Sequence, residues 1–473
     1  MTKRIKCGRL FTGLEDTARN DQTVIVDDDG IIAYVGPTAS APPPAAREQV
    51  IDHSGAFVMP GLIDAHTHLT FGGTQTLEDI DLYAPLEFRA LRALIWGQRL
   101  LQAGFTGVID PGCTGRTMIA VRDAINAGMF EGPRVCASGP FIGNYQGYTA
   151  FYPTWINNPT AVYAHVDSID NGIEIVRSFA KDGVDFFKFA LDGSAVDTKG
   201  GLAASMRLDE TKALFGEAHR LGKRVIAHSK GRSGAETAAK AGADVIYHFS
   251  WQDDASLQAV IDNKVTICPS LVIIHNRYSF TQPTDGHGMG ASTAGRLRDP
   301  RHPEWDGHGA RSDLGRSEWK GAIAAAKRAY EAGVPIMVGS DSGFAVCPVG
   351  EWNALELVLL HKHVGMKTCD ILKGATSVNA QFMPGGHKFG ALEKGRYGDI
   401  LAVDGDPLSQ IDVLLDKSKL TVYKAGERIR CRPPAINYRR EQDFSYRMWQ
   451  EIYDQKFVKA LAEASRLQAF AAE

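Results

Sequence analysis

The chain has 473 residues, of which 44% are apolar and 23% are charged, and a formal net charge of −3 at pH 7. These values are typical of a globular protein and exclude the strongly basic surface that binds nucleic acid or anionic membranes. No apolar run is long enough for a transmembrane helix, and no apolar segment of a signal peptide follows the N-terminus. The seven cysteines show no paired spacing, which indicates reduced thiols. We therefore predict a cytoplasmic protein that acts on a small molecule.

The first 56 residues predict short strands. Residues 24–26 and 31–36 are apolar and rich in β-branched side chains, and the turn at 27–30 between them favours a hairpin. Three consecutive prolines within residues 39–46 predict a loop. We expect residues 1–56 to contribute to a small β domain.

Residues 57–388 alternate between short apolar segments and amphipathic helical segments. The apolar segments are typical of strands buried on both faces. Eight strands alternating with eight helices predict an α/β fold of the TIM type, a (β/α)₈ barrel. The predicted strands are 57–63, 106–110, 134–138, 186–189, 225–227, 245–247, 265–268 and 336–339. The predicted helices are 86–103, 116–127, 170–182, 209–221, 233–241, 254–262, 317–332 and 350–364.

Residues 389–433 return to short strands, such as those at 399–403 and 420–423. The simplest arrangement pairs them with residues 1–56, so that both chain ends form one β-sandwich beside the barrel. Residues 434–473 predict a C-terminal helical extension with several aromatic side chains. Such side chains suggest docking on a neighbouring surface, and we therefore expect a homo-oligomer.

The first barrel strand leads into a His-Thr-His motif, His66 to His68. If these two histidines end a strand, their side chains point to the same face, because side chains alternate along a strand. Two imidazoles on one face can hold one divalent metal ion. The motif therefore predicts part of a metal site.

Four further candidates stand at predicted strand ends, where barrels place their functional sites. They are Lys188 in the fourth strand, His228 and His248 after the fifth and sixth, and Asp341 after the eighth. Histidine and aspartate ligands suit Zn²⁺ and related ions. A charged lysine amine inside a barrel is costly, whereas its carbamate with CO₂ is an anion that can bridge two metal ions. We predict that these side chains converge with His66 and His68.

A second His-x-His motif, His361 to His363, lies in a segment with helical apolar spacing. Residues two apart on a helix point in very different directions around its axis, so these two histidines cannot share an ion. We predict a solvated or partly buried helix face there.

The segments at residues 60–68 and 395–408 resemble those of the amidohydrolase superfamily of metal-dependent hydrolases, and the resemblance covers about residues 5–433. Residues 185–188 are similar to the carbamylated-lysine strand of its binuclear subtype. Within the superfamily the chain resembles the imidazolonepropionase-like, Xaa-Pro dipeptidase group and, more distantly, hydrolases of phenylurea and thiocarbamate herbicides.

The resemblance implies two divalent metal ions, with zinc expected and manganese, cobalt or iron as alternatives. The implied ligands are His66, His68 and Asp341 for the more buried ion, His228 and His248 for the second ion, and Lys188, carbamylated by CO₂, as the bridge.

Residues expected to bind substrate follow the third, fifth and seventh strands. The loop after the third strand contains Tyr145, Tyr148 and Trp155, and it lacks the histidine with which the similar peptidases hold a substrate carboxylate. These aromatic rings either pack the loop or form an apolar pocket for a flat, uncharged substrate. The other candidates are Lys230, where the similar peptidases have tyrosine or histidine, His275 after the apolar run 271–274 at the seventh strand, and Tyr278 in the long loop 276–316.

Together these features predict hydrolysis of the C–N bond of an uncharged N-aryl urea or amide. A metal-bridging hydroxide would attack the carbonyl carbon, and Asp341 would act catalytically as general base and then general acid. The alternatives are a Xaa-Pro dipeptidase or N-acyl amino acid hydrolase, in which Lys230 or a loop arginine binds the carboxylate, and a carbamate or thiocarbamate hydrolase. A metal-binding scaffold without activity is the alternative from a different class.

Overall fold

The computed structural model describes residues 1–74, 80, 82–145, 147, 155, 156, 158, 160–193, 203–280, 313–344 and 346–434. Most of the predicted loop 276–316 and the predicted C-terminal helix lie outside these residues. The described chain has a mixed α/β fold with three sheets. None of its helices is both long enough and apolar enough to cross a membrane.

The strands, in chain order, are β1 Lys3–Leu10, β2 Arg19–Val26, β3 Ile32–Pro37, β4 Gln49–Pro60, β5 Leu62–Asp64, β6 Phe105–Asp110, β7 Arg134–Ala137, β8 Phe141–Gly143, β9 Tyr163–His165, β10 Phe186–Ala190, β11 Arg224–Gly231, β12 Val245–Trp251, β13 Thr266–Cys268, β14 Ile400–Val403, β15 Leu420–Lys424 and β16 Glu427–Arg428. The main helices are Leu86–Gln102, Thr117–Asn126, Ile169–Lys181, Leu208–Arg220, Arg232–Ala241, Asp254–Asp262, Leu271–Phe280, Asp313–Glu331, Leu355–Leu359 and Thr368–Lys373.

Both chain ends share one seven-stranded sheet, in the order β16-β15-β14-β4-β1-β2-β3. The contact between the two ends is the antiparallel pairing of β14 with the last four residues of β4, Phe57 to Pro60. Apolar side chains of both ends, such as Ile5, Val24 and Ile400, share one buried cluster. The predicted pairing of the chain ends therefore exists, while a two-layer sandwich and the proposed domain boundaries stay predictions.

The central strands are parallel and form two sheets, β5-β6-β7 and β13-β12-β11-β10-β8-β9. A backbone hydrogen bond from Asp185 N to Ala137 O (2.8 Å) connects β7 to the start of β10. On the other side, Met337 N donates to Ile267 O of β13 (2.8 Å), and Ala65 N, just after β5, donates to Val338 O (2.9 Å). The carboxyl ends of these parallel strands therefore lie at a common edge.

The predicted helices agree with the structure within a few residues, apart from the last. That helix begins at Leu355, not at residue 350, and its final turn, Leu360–Val364, is a π-helix. Two short strands, β8 and β9, were not predicted. The run 271–274 was predicted as part of the seventh strand, but it begins the helix Leu271–Phe280. The reason is that the buried Glu356 carboxylate accepts hydrogen bonds from the backbone N–H groups of Leu271 and Val272 (2.9 and 2.8 Å), which satisfies that helix start.

Candidate metal centre

The six predicted metal ligands line one cavity at the carboxyl ends of the parallel strands. Phe141 and Ala190 complete its lining. Each of the six is at most 7% exposed. They are His66 and His68 after β5, Lys188 in β10, His228 in β11, His248 in β12 and Asp341 after residues 336–340.

Asp341 lies at the centre of the cluster. Its Oδ1 is 3.2 Å from Nε2 of both His66 and His68, and its Oδ2 is 3.9 Å from Nε2 of His248. Ligand atoms of His66, His248 and Asp341 all lie within 4.8 Å of one another. The His228 ring packs edge-on to His248, with ring centroids 4.6 Å apart. Nitrogen and carboxylate donors converging in this way fit a zinc-like ion.

The imidazoles are oriented as metal ligands. Nδ1 of His68 lies 2.9 Å from Gly112 O, so it must donate there, which leaves the lone pair on Nε2. Nδ1 of His66 lies 2.8 Å from Ser270 Oγ. Burial, reinforced by the charge of Lys188, lowers the pKa of His66 and of His228 well below the usual value. These rings are therefore neutral near pH 7 and can donate electron pairs.

Lys188 has the environment of a reactive amine. It is 3% exposed, and its Nζ lies 3.8 Å above the centre of the Tyr247 ring. Among the described residues, this nitrogen has no hydrogen-bond partner. Burial lowers the pKa of Lys188 to about 7, so a substantial neutral fraction exists near neutral pH. A neutral, unpartnered amine amid metal donors fits a lysine that reacts with CO₂ to form a carbamate ligand.

The backbone at the cavity is strained. Four non-glycine residues here adopt positive φ: His248 (75°), Phe249 (53°), Ser270 (52°) and Asp341 (56°). Such conformations cost about 1–3 kcal/mol each and persist where surrounding structure enforces them. At His248 and Asp341 this backbone turn directs the side chain of a predicted ligand towards the cavity.

A buried polar network behind the cavity was not predicted from the sequence. The Asp64 carboxylate accepts hydrogen bonds from His66 N (2.8 Å), Ser340 Oγ (2.7 Å) and Asn353 Nδ2 (2.8 Å). Asn353 Nδ2 also lies 3.3 Å from Thr67 Oγ1. The network ties the His-Thr-His turn to the segment that carries Asp341. Only the position of Asp64 two residues before His66 hinted at it.

Lys230, a predicted substrate-binding residue, is engaged in an ion pair. Its Nζ lies 2.5 Å from Oε1 of Glu318 in the helix Asp313–Glu331, and both residues are buried. Lys230 does not line the cavity, although its charge helps to lower the pKa of His228 and His248. Glu318 lies some ninety residues away in the chain, and no sequence pattern connects the two.

The other predicted substrate-binding residues do not line the cavity where the structure describes them. Tyr145 is 45% exposed and stacks on His165, and Trp155 is 82% exposed. His275 is buried with Nδ1 2.9 Å from Asn276 Oδ1, and burial lowers its pKa to about 4. Tyr148 and the side chain of Tyr278 lie outside the described residues. Substrate binding by these residues stays a prediction.

Phenylalanine rings form the apolar wall beside His68. Phe71 stacks on the His68 ring with centroids 4.4 Å apart, and Phe344 meets Phe71 edge-on at 5.3 Å. Phe141 lines the cavity itself and lies edge-on to His68 at 5.7 Å. Phe71 and Phe344 were not predicted, although each follows a ligand, His68 or Asp341, by three residues. The wall can pack against a flat apolar group.

Comparisons with known proteins identify the family. Residues 57–429 match the Amidohydrolase family. Ochratoxinase from Aspergillus niger is 28% identical over 450 residues, covering 89% of this chain and 85% of its own. A crystal structure of a Xaa-Pro dipeptidase with bound methionine has a TM-score of 0.74 and 25% identity, covering 91% of this chain and 100% of that chain.

The fold is also shared with phenylurea hydrolase B, with a TM-score of 0.69, 19% identity and coverage of 91% of this chain and 97% of that chain. The family match covers well over half of the chain, and these relatives are hydrolases. The resemblance predicted from residues 60–68 and 395–408 is confirmed. The chain belongs to the amidohydrolase family.

Proposed function

We propose that this protein is a metal-dependent hydrolase that cleaves the C–N bond of an uncharged N-aryl urea or amide. One observation carries the choice of an uncharged substrate. Lys188 is the single lysine or arginine among the described residues that line the cavity, and it is assigned to metal binding. Lys230, the nearby alternative, is neutralised by Glu318. Among the described residues of the lining, a substrate carboxylate would therefore meet no free lysine or arginine.

We also propose that the parallel strands close into a (β/α)₈ barrel. Hydrogen bonds from Asp185 to Ala137, and from the segment 336–341 to both β13 and the residues after β5, support closure. Barrel closure brings the ends of β5, β10, β11 and β12 around one axis, which accounts for the convergence of six ligands from distant parts of the chain.

His66, His68 and Asp341 would hold one metal ion, His228 and His248 a second, and carbamylated Lys188 would contact both. Zinc is the expected ion on the basis of the donor types. When bound, such ions polarise a carbonyl and lower the pKa of a bound water towards about 7. The neutral imidazoles and the unpartnered Lys188 amine support this assignment.

This chain's own residues would orient the substrate and move the proton. Phe71, Phe141 and Phe344 would pack against the aryl group on the His68 side of the cavity. Asp341, whose carboxylate lies at the centre of the ligand cluster, would accept a proton from the attacking water and deliver it to the leaving nitrogen. Protonation of the leaving nitrogen matters because a deprotonated amine is a poor leaving group.

A second candidate is an N-acyl amino acid hydrolase or Xaa-Pro dipeptidase. The likeness to ochratoxinase and to a Xaa-Pro dipeptidase structure favours it. In this alternative, Lys230 would leave Glu318 to bind a substrate carboxylate. A carbamate or thiocarbamate hydrolase would use the same uncharged cavity as the first candidate.

A substrate panel with the zinc-loaded protein tests the proposal. We expect kcat/KM for neutral phenylureas and anilides to exceed that for N-acyl amino acids and Xaa-Pro dipeptides by about 100-fold, since a buried cavity penalises an unpaired carboxylate. The opposite ranking would refute the uncharged-substrate proposal and favour the peptidase alternative. A matched series of carbamates and thiocarbamates in the same panel tests the third possibility, a carbamate or thiocarbamate hydrolase.

A further inference from the structure

Lys230 and Glu318 form a buried ion pair next to the metal centre. The side chains are 3% and 5% exposed, and Nζ lies 2.5 Å from Oε1. Lys230 follows His228 by two residues on β11, and Asp192 Oδ1 lies 3.0 Å from Lys230 N and 3.6 Å from His228 Nε2. Removing two charges from water often costs more free energy than their pairing returns. Stability alone therefore does not account for this buried pair.

The partners are held from opposite sides. The backbone N–H of Lys230 donates to the Asp192 carboxylate (2.9 Å), and Gln252 Nε2 donates to Lys230 O (3.0 Å). On the helix Asp313–Glu331, Trp251 Nε1 donates to Ser317 Oγ (3.0 Å). These contacts fix the strand and the helix at the residues that carry or adjoin the two charges.

Close helix packing sets the separation of the pair. A Cβ added at Gly321 would lie 2.8 Å from Ser250 O, so only glycine allows the helix to approach β12 this closely. Residues three apart lie on the same face of a helix, which puts Glu318 on the face that Gly321 presents to the strands. A larger side chain at 321 would force the Glu318 carboxylate away from Lys230.

We propose that Glu318 determines substrate specificity by neutralising Lys230, so that the enzyme rejects substrates with a carboxylate next to the scissile amide. This inference rests on the proposed function and names the residue that enforces it. Removing the charge at 318 frees the Lys230 ammonium to pair with a substrate carboxylate. In wild type, a carboxylate substrate would meet a Lys230 ammonium that is already paired, with the Glu318 carboxylate close by.

The test compares hippurate with hippuramide, which share a benzoyl amide and differ in the carboxylate. In the zinc-loaded Glu318→Gln variant, we expect the ratio of kcat/KM for hippurate to that for hippuramide to rise by about tenfold or more over wild type, because a charged hydrogen bond is gained. The double variant Lys230→Gln/Glu318→Gln should show no rise. This double variant is the matched control, because it lacks the ammonium that Glu318→Gln frees.

Gly321→Ala is a second route to the same result if Glu318→Gln does not fold. It retains both charges and separates them, so the ratio should also rise. An unchanged ratio in folded, zinc-loaded Glu318→Gln, or an equal rise in the double variant, overturns the inference. Loss of folding or of metal would lower turnover of both substrates. A rise in the ratio of hippurate to hippuramide therefore reports on the role of Glu318.

Calorimetric binding of hippurate separates this inference from the proposed function. If wild type fails to hydrolyse phenylureas and anilides, the proposed function is wrong. Hippurate should still bind zinc-loaded Glu318→Gln about tenfold more tightly than wild type if Glu318 masks Lys230. If wild type hydrolyses neutral substrates but Glu318→Gln gains no hippurate affinity, the proposed function stands and the role of Glu318 is refuted.

Discussion

The chain contains two His-x-His motifs whose surroundings differ completely. His66 and His68 follow a buried strand and are 2% and 3% exposed, with both Nε2 atoms 3.2 Å from one carboxylate oxygen of Asp341. His361 and His363 are exposed and lie in the π-helical turn Leu360–Val364. Nδ1 of His361 lies 3.0 Å from Met366 O, and His363 packs against Trp319. The spacing is identical, but only the strand directs both rings towards a shared point.

Substitution in the strand motif, His66 to His68, should have the largest effect on metal content and activity. We expect His68→Ala to lose metal and to lower kcat/KM by roughly 10³-fold or more, because an ion is worth several kcal/mol of transition-state stabilisation. Metal analysis together with kinetics measures both losses. His53→Ala, at a strand histidine that contacts Tyr423 away from the site, is the control and should keep its metal. Full metal content in His68→Ala would contradict the assignment.

Lys188 is the proposed link between the His66–His68 motif and a second ion. We expect Lys188→Ala to lose about half of its bound metal and roughly 10²-fold or more in activity, because the anionic bridge is gone. The loss of carbamate is measured by mass spectrometry under native conditions. Lys424→Ala removes a partly buried lysine that donates to Gly132 O elsewhere, and it should retain both ions. Full occupancy in Lys188→Ala would rule out the bridge.

The lowered pKa of Lys188 predicts a pH dependence. Only the neutral amine reacts with CO₂, so the rate of CO₂-dependent reconstitution of metal-free protein, compared at one concentration of dissolved CO₂, should rise through about pH 7 and then level off. The folded pKa lies below the ordinary value, so the unfolded chain binds more protons between about pH 7 and 10.5. The unfolding free energy of the metal-free protein should therefore increase with pH across that window. A midpoint above pH 9 would contradict a desolvated amine.

Ser270 offers a smaller change at the strand motif. Its hydroxyl lies 2.8 Å from His66 Nδ1, so Ser270→Ala should leave the ligand in place but poorly oriented. We expect a loss of about 10–100-fold in metal affinity or activity. Competition with a chelator measures the affinity. Ser377→Ala, which removes a hydrogen bond to Gly13 O, is the control; equal affinities in the two variants would mean that Ser270 does not orient His66.

Substitution in the helical motif, His361 to His363, should have the smallest effect on metal content and stability. The double variant His361→Ala/His363→Ala should keep its full metal content, and its unfolding free energy should change by no more than about 0.5 kcal/mol for each exposed side chain. Metal analysis and chemical denaturation measure these quantities. If an ion is lost, the helical motif also binds metal, and the strand setting of His66 and His68 is not what distinguishes the two motifs.

Local sequence patterns predicted most of the helices and the six side chains that meet at the cavity, because apolar periodicity and residues at strand ends are local features. The run 271–274 shows where that reasoning fails. Its β-branched residues favour a strand, but the remote Glu356 carboxylate satisfies two backbone N–H groups and supports a helix start. The Lys230–Glu318 pair and the Phe344 contact with Phe71 likewise depend on tertiary packing. No single-sequence signal encodes such long-range partners.

The positive φ angles at His248, Phe249, Ser270 and Asp341 have a consequence for engineering. At Phe249, glycine would relieve about 1–3 kcal/mol of backbone strain, but it would also remove a ring that is 1% exposed, which costs about 3–5 kcal/mol. Packing of that ring therefore holds the strained turn after His248, and selection for thermal stability alone would preserve the turn. Repacking this part of the core for heat resistance should be coupled to an assay of metal content, because the buried ring adjoins a predicted ligand.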